Sequence, residues 1–360
     1  MNIPVISPTD MEILSSSYSI PIIDIFFIAL NRYGIKANIQ DKRIRFKINL
    51  LDCNEAYYMA VCVNTFDSPF YLNSKRQLLM NGVIVGNIFD IEKDTCDTTY
   101  FRRNKTELTL NSNMRSKCNG CTFCGTYNLD SEDRIDMSDE NRITSFLKTF
   151  LKENQMESLE HLVRVTVCTG CFSDESRLIE HILTIFKVFQ DFGFNKRIRY
   201  IGSQIRTKEA MDLIQSKLPY FSLSLTVECF SNREQRMRKE KASLDMTGIL
   251  KVLQNAQEHH FSTNYLYIVG LDKLDALKTG ISELAPYVNR MPVFQVMQNY
   301  ISEHERQRVE EAKKLEYYLQ ARKIIENQFS NTGLRPRSWE NYRGLFYTTY
   351  QDEPFNCIRI

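Results

Sequence analysis

The sequence predicts an α/β fold in which a parallel sheet positions the functional residues. Three observations predict it: six short runs rich in apolar and β-branched residues, the helical patterns that separate them, and repeat units of roughly 30–40 residues. Repeated strand–helix units indicate parallel strands joined by right-handed crossovers. The pattern fits both a doubly wound sheet and a sheet curled into a barrel, and in both the chemistry lies at the carboxyl ends of the strands.

Six strands are predicted over residues 107–111, 162–168, 197–202, 221–228, 262–270 and 292–298. Helices are predicted over residues 138–153, 175–192, 207–217, 243–259 and 274–288. Unusual residues stand where the strands end. A three-cysteine loop follows the first strand, CTGC ends the second, GSQ the third, Glu228 the fourth and Gly270 the fifth. These residues are therefore predicted to share one rim of the sheet.

Two extensions flank this core. Residues 1–105 contain a predicted helix at 20–34 and the strand-like runs KRIRFKINL and YYMAVCV, and form a candidate α+β substrate cap. Residues 301–360 form a tail in which residues 302–329 predict one long amphipathic helix, packed outside the core with a solvated face. The core itself is assigned to residues 106–300.

Composition argues against several classes of protein. Lys plus Arg number 46 against 44 Asp plus Glu, a formal charge of +2 spread along the chain, so no nucleic-acid partner is expected. The N-terminus lacks a basic region followed by an apolar run, so no signal peptide is expected. The best apolar run contains Asp24 and is shorter than the roughly 20 residues that span a bilayer. We expect a cytoplasmic protein with no membrane partner.

Ten cysteines fit a reducing compartment, where clustered thiols bind metal more often than they form disulfides. The isolated cysteines are predicted to be small buried hydrophobic residues: Cys53, Cys62, Cys96, Cys229 and Cys357. The other five form two groups. SKCNGCTFCGT places Cys118, Cys121 and Cys124 with two residues in each gap, and VCTGC contains Cys168 and Cys171.

The spacing of the three cysteines bears on which metal they bind. A structural zinc site needs four ligands, and pairing CNGC with CTGC would span far more than the usual roughly 15–20 residues and leave Cys124 unused. A ferredoxin pattern needs a further cysteine followed by proline, whereas GTYNLD follows here. A four-iron cluster on three cysteines leaves one iron open, which favours catalysis. A zinc-stabilised binding protein and an iron–sulfur electron carrier are the alternative hypotheses.

The cysteine loop and the strand ends together resemble the radical S-adenosylmethionine (radical SAM) enzyme superfamily. An aromatic residue, Phe123, precedes the third cysteine, as in that superfamily, whereas the first gap of CNGCTFC is one residue shorter than its commonest motif. The resemblance covers residues 105–300. It implies a partial (β/α)6 TIM-like barrel and a 4Fe-4S cluster on Cys118, Cys121 and Cys124.

The resemblance also implies contacts to S-adenosylmethionine from the ends of the second and fourth strands. Thr169 and Gly170 correspond to the turn that receives the methionine amino group. Ser203 ends the third strand on the same rim, where a contact to S-adenosylmethionine, a contact to the substrate and a cap of the next helix are the alternatives. Glu228 corresponds to a contact to the ribose or the amine, with an ion pair to Arg236 or Lys241 as the alternative. Arg236 corresponds to a partner for the methionine carboxylate, to which a guanidinium donates two parallel hydrogen bonds.

The last two strands correspond to the adenine groove, in which Phe123 also has a candidate packing role. The implied contacts are Ile268, Gly270, Phe294, Gln295 and Val296. The implied activity is reductive cleavage of S-adenosylmethionine to a 5′-deoxyadenosyl radical, which abstracts hydrogen from a small-molecule substrate in cofactor or natural-product biosynthesis. A one-electron donor such as flavodoxin or ferredoxin is implied, and the reaction class stays open among lyase, mutase and C–C or C–S bond formation.

The substrate pocket is predicted to be built by residues outside the six strand–helix units. These are the first 105 residues and the tail segment SWENYRGLFY, which contains Trp339, Tyr342 and Arg343.

Overall fold

A computed structural model describes residues 7–51, 53–63, 68–95, 98–112, 120–125 and 137–354 of the chain. The chain starts with two helices, α1 (Pro8–Tyr18) and α2 (Ile22–Tyr33). A capping box between Ser7 and Asp10 begins α1, and α2 is almost entirely buried, as its apolar sequence IIDIFFIAL requires. Within the described residues no single helix is long and apolar enough to cross a membrane; α1 and α2 meet that test only together, as a pair bent by 115°.

A six-stranded sheet follows, with the order β1-β4-β5-β6-β2-β3. Its strands are β1 (Lys36–Ala37), β2 (Arg43–Leu50), β3 (Ala56–Cys62), β4 (Phe70–Leu72), β5 (Gln77–Met80) and β6 (Val83–Lys93). All its pairings are antiparallel except β1 with β4. The predicted helix at 20–34 and the two predicted strand runs are confirmed as α2, β2 and β3.

The second sheet has seven strands in the order β13-β12-β11-β10-β9-β8-β7. They are β7 (Tyr100–Arg102), β8 (Glu107–Ser112), β9 (Arg164–Thr169), β10 (Arg197–Gly202), β11 (Phe221–Glu228), β12 (Ser262–Val269) and β13 (Val293–Val296). The helices between them are α3 (Glu140–Glu153), α4 (Glu175–Asp191), α5 (Lys208–Lys217), α6 (Arg233–Arg236), α7 (Lys239–Ala242), α8 (Met246–Glu258) and α9 (Leu274–Leu284). The six predicted strands are confirmed, and the predicted inter-strand helices correspond to α3, α4, α5, α8 and α9.

Strand order decides between the two predicted architectures. Strands β8 to β13 are all parallel and each pairs with its neighbour in sequence, whereas a doubly wound sheet reverses direction at a switch point. Right-handed crossovers then place the helices on one face. Among the described residues, β7 and β13 form the two edges and do not pair with each other. The core is therefore a partial barrel, with an antiparallel strand β7 added before its first unit.

The tail departs from its prediction. Residues 302–329 form two 3-10 turns, Ser302–Gln307 and Glu310–Lys313, and only then the helix α10 (Leu315–Gln328). The buried Arg308 explains the break, because its guanidinium bonds to Glu305, Asn299 and Tyr318 across the turn. Helix α10 is also largely buried and is not a solvated outer helix. The last described elements are a 3-10 turn (Ser338–Glu340) and the strands β14 (Thr349–Tyr350) and β15 (Glu353–Pro354).

Candidate functional site

The inner face of the partial barrel is polar. Along β11, Ser222, Ser224 and Thr226 alternate with Leu223, Leu225 and Val227, and all six are buried. Because side chains alternate between the faces of a strand, one face packs apolar groups against the helices and the other presents hydroxyl groups to the interior. Polar residues in an otherwise buried strand indicate an interior that contains a site.

This interior opens into a cavity of about 520 Å³. Its walls come from four regions: the carboxyl ends of the barrel strands, the cysteine loop, strands β2 and β7, and the tail. The volume lies in the range typical of small-molecule and cofactor sites. Ten of the predicted site residues line it: Cys121, Phe123, Cys124, Thr169, Gly170, Ser203, Glu228, Ile268, Gln295 and Val296. Cys118 lies outside the described residues.

The cysteine loop forms a tight turn at the cavity wall. The Cys124 amide donates to the Cys121 carbonyl at 2.9 Å, and both side chains are half-buried. Phe123 between them is buried and packs against Met237, Leu271 and Met297. The two thiols are thus held on one turn with the aromatic side chain as its anchor.

Two further contacts fix this loop. The Thr122 amide donates to the Arg236 carbonyl at 2.9 Å. On the other side, the ring of Tyr300 lies so close to Gly125 that a Cβ atom on that glycine would be 2.0 Å from the Tyr300 Cε2 atom. Only glycine therefore fits after Cys124 unless the ring or the loop moves.

Glu228 and Lys241 form an ion pair next to the cysteines. Burial lowers the pKa of Lys241, but Glu228 and the sulfur atoms of Cys121 and Cys124 outweigh it, and the net shift is upward. Burial raises the pKa of the Cys121 thiol, which Lys241 opposes. Lys241 therefore places a positive charge beside both sulfur atoms, where thiolates would bind a metal. The ion pair predicted as the alternative for Glu228 is present, with Lys241 as the partner.

Glu228 also has an unusual backbone. Its φ is +68° and it follows a β-bulge at Thr226, at the end of β11. A left-handed conformation costs a non-glycine residue roughly 1–2 kcal/mol. Such outliers concentrate at functional sites, where the surrounding structure enforces them.

Three predicted contacts lie outside the cavity lining, namely Arg236, Gly270 and Phe294. The Arg236 guanidinium donates to the Leu271 carbonyl and lies 3.4 Å from the buried Asp272, so it ties loops together behind the site. Phe294 is buried against Tyr265 on the other face of the sheet. In place of Arg236, the neighbouring Arg238 lines the cavity.

Gly270 has a backbone role. Its φ is +121°, which favours glycine, and its carbonyl accepts from the Val309 amide at 3.1 Å. This bond joins the end of β12 to the tail at the point where the predicted long helix is broken.

The two cysteines of the CTGC segment differ in their position relative to the cavity. Cys168 lines the cavity and Cys171 does not. Among the described residues there is no group of three or more His, Cys, Asp and Glu side chains arranged to hold a metal ion. The described cysteines of CNGC and CTGC, namely Cys121, Cys168 and Cys171, therefore do not come together as a zinc site requires.

A buried ion-pair cluster closes the floor of the cavity. Glu340, from the tail, accepts from Arg164 at 2.7 Å and from Arg290 at 2.5 Å, and lies 3.2 Å from Arg199 and 3.5 Å from Arg337. Burial raises the Glu340 pKa, but these four guanidinium groups outweigh it and hold the pKa well below its ordinary value. Glu340 therefore joins the tail to the barrel as a carboxylate.

Several cavity residues were missed by sequence reasoning, among them Arg43, Arg45, Arg102 and Tyr300. They stand on separate segments without any local motif, so no sequence signal identifies them. Tyr342 and Arg343, predicted from the tail, do line the cavity. Trp339 does not line it, but its carbonyl accepts from Arg102 at 2.7 Å.

No family model and no curated protein matches the chain. A solved structure, the coproporphyrinogen III oxidase HemN from Escherichia coli, described as a radical SAM enzyme, is similar to it with a TM-score of 0.42 and 17% identity. The match covers 59% of this chain and 50% of HemN, so this chain aligns with about half the length of that protein.

Proposed function

We propose that this protein is a radical SAM enzyme that binds a 4Fe-4S cluster through Cys118, Cys121 and Cys124. The observation that carries the proposal is the opening of Cys121 and Cys124 into one cavity at the carboxyl ends of six parallel strands. That rim is where barrels of parallel strands place their chemistry. A buried structural metal site would not need a cavity of this volume.

The described cysteines fit the proposed cluster. Thiolates are the protein ligands of iron–sulfur clusters, and Cys121 and Cys124 project from one turn that three neighbouring contacts hold. Lys241 provides a cation beside both sulfur atoms. Positive charge and hydrogen bonds near the sulfur atoms are the means by which a protein tunes such a cluster.

We assign the S-adenosylmethionine contacts to residues that line the same cavity. Thr169, Gly170 and Ser203 end the second and third strands, and Glu228 ends the fourth. Since Arg238 faces the cavity and Arg236 does not, we assign the partner of the methionine carboxylate to Arg238. The adenine groove is assigned to three cavity residues of the last strands: Ile268, Gln295 and Val296.

When bound and reduced, the cluster supplies the electron that cleaves S-adenosylmethionine to methionine and a 5′-deoxyadenosyl radical. The chain's own residues bind, orient and exclude water. Phe123, Thr122 and Gly125 fix the loop, while strands β2 and β7 and the tail cover the open side of the barrel. The substrate is a small molecule that fits the remaining volume, and the electron donor is a flavodoxin or ferredoxin.

Anaerobic purification, reconstitution and dithionite reduction test this function. We expect about four irons and a similar amount of sulfide per chain, and formation of 5′-deoxyadenosine from S-adenosylmethionine. The Cys124→Ala variant should lose both. The matched control is Cys171→Ala, since Cys171 lies outside the cavity lining and the variant should retain both.

The other outcomes distinguish the alternative hypotheses. One zinc and no iron would contradict the proposal and support a zinc-stabilised protein. Four irons with reversible reduction but no 5′-deoxyadenosine would support an electron carrier.

A further inference from the structure

We propose that Arg102 and Arg343 bind an oxyanion of the substrate, a carboxylate or a phosphate, at the wall that β7 and the tail add to the cavity. The identity of the ligand as the substrate rests on the proposed function. The existence of an anion site does not, because it follows from charges and contacts alone.

The cavity carries an excess of positive charge. Of the described residues that line it, seven are cationic and three are carboxylates. The carboxylates all have partners: Asp94 lies 2.6 Å from Arg43, Glu228 pairs with Lys241, and Glu340 belongs to the arginine cluster of the floor. The excess of positive charge at the described wall favours an anionic ligand.

Arg102 is a candidate for binding this anion. Its guanidinium donates to the Thr109 hydroxyl at 3.0 Å, the Trp339 carbonyl at 2.7 Å and the Tyr100 hydroxyl at 2.5 Å. It also lies 4.4 Å from the centre of the Tyr342 ring. These partners are neutral, and no carboxylate of the described residues pairs with this guanidinium.

Arg343 has the same character. It donates to the Tyr300 hydroxyl at 2.9 Å and to the Gln295 side-chain oxygen at 2.7 Å. Within the described part of the chain it too pairs with no carboxylate. Two half-buried guanidinium groups held only by neutral oxygens are oriented but not neutralised. An oxyanion supplies both the missing charge and strong hydrogen bonds.

Arg102 and Arg343 lie on segments outside the six strand–helix units that supply the residues assigned to S-adenosylmethionine. Arg102 belongs to β7, and Arg343 belongs to the tail, where it donates to Gln295 at the edge of the assigned adenine groove. Tyr300 connects the two regions, because its hydroxyl accepts from Arg343 and its ring contacts Gly125 beside Cys124. A substrate bound by its charged group at the arginines would therefore extend towards the cysteine loop.

The test measures anion binding to the full-length, reconstituted protein with S-adenosylmethionine present and no reductant. Thermal unfolding is followed at low ionic strength against rising concentrations of glutarate, inorganic phosphate and the neutral glutaramide, since a ligand of the native state raises the midpoint. We expect glutarate or phosphate to raise it and glutaramide not to. Whichever anion acts identifies the source of the oxyanion.

Variants locate the site. Arg102→Gln and Arg343→Gln should each weaken the apparent affinity for the active anion at least about tenfold, as expected for loss of a charged hydrogen-bond partner. Arg335→Gln, which removes an exposed arginine paired with Glu353, should leave it unchanged. Among the described residues, the Arg343 side chain bonds to Tyr300 and Gln295 alone, so the Arg343→Gln variant serves if the Arg102 variant does not fold.

Failure of this inference and failure of the proposed function are distinguishable. If no anion binds, if glutaramide binds equally, or if Arg335→Gln weakens binding as much as the other two variants, the anion site is wrong even when 5′-deoxyadenosine forms. If an anion binds at the arginines but no 5′-deoxyadenosine forms, the anion site stands and the radical function fails.

Discussion

Replacing Glu340 by glutamine should destabilise the protein more than any surface change of the same kind. Without the carboxylate, Arg164 retains Glu107, but Arg199 and Arg290 keep no carboxylate partner among the described residues. Breaking a buried ion pair by removing one partner costs about 3–5 kcal/mol. With an unfolding entropy of about 2.1 cal/mol/K per residue, that cost lowers the midpoint of a 360-residue chain by about 4–7 °C if it unfolds as one unit.

The matched control is Glu353→Gln, which removes a carboxylate from an exposed pair with Arg335. Exposed pairs contribute about 0–1 kcal/mol, so this midpoint should move by at most about 1 °C. Thermal unfolding of both variants, followed by circular dichroism, makes the comparison. Equal midpoints for the two variants would refute the reasoning that Glu340 is the counter-charge of the buried arginines.

Three further predictions follow from the same geometry. Gly125→Ala should cost about 1–3 kcal/mol of stability and lower the iron content, because the new methyl group meets the Tyr300 ring. Adding Tyr300→Ala to the same chain should restore iron binding. A normal iron content in the single variant would contradict the close contact. Glu228→Gly should be about 1 kcal/mol more stable than Glu228→Ala in denaturant unfolding, because both variants lose the Lys241 ion pair and only glycine relieves the left-handed backbone. Equal stabilities would argue against backbone strain at residue 228. The folded-state pKa of Glu340 lies below its unfolded value of roughly 4.3, so its contribution to stability is full above that pH and is lost as the pH falls. The difference in unfolding midpoint between wild type and Glu340→Gln should therefore shrink between pH 7 and pH 3. A constant difference would contradict the depressed pKa.

The rim of the site was predictable because two simple constraints act together. Buried parallel strands need continuous β-branched and apolar runs, which the sequence shows, and parallel strands present their carboxyl ends at one edge. Thr169, Ser203, Glu228 and Ile268 are far apart in sequence, yet all four line one cavity.

Side-chain direction within a turn was not predictable. Arg236 ends the short helix α6 and Arg238 follows it, and only the chain path sends the first to Leu271 and the second to the cavity. In the tail, the charged sequence of residues 302–329 favours a helix, but the buried contacts of Arg308 outweigh that local preference. Both errors arise where a tertiary contact of one arginine decides the local structure.

The cavity wall that contains Arg43, Arg102 and Arg343 could not be predicted from the sequence, for a different reason. Arg102 stands on the edge strand β7 of the barrel sheet, whereas Arg43 and Arg343 reach the same cavity only because the first sheet and the tail fold over the barrel. All three segments contain ordinary polar residues. Sequence patterns report periodicity within a segment, not which segments meet.

Tyr300 joins the two halves of the site. Its ring fixes the loop at Gly125, and its hydroxyl accepts from Arg343 and donates to Gln298 at 2.9 Å. An anion that draws Arg343 towards it acts on the same tyrosine that holds the turn after Cys124. Because Tyr300 contacts both Arg343 and the cysteine loop, binding of an anion at the arginines should alter the environment of the cysteines. Electron paramagnetic resonance of the reduced, reconstituted protein should show a change on addition of glutarate or phosphate that Tyr300→Ala abolishes, and an unchanged spectrum would show that the two halves act independently.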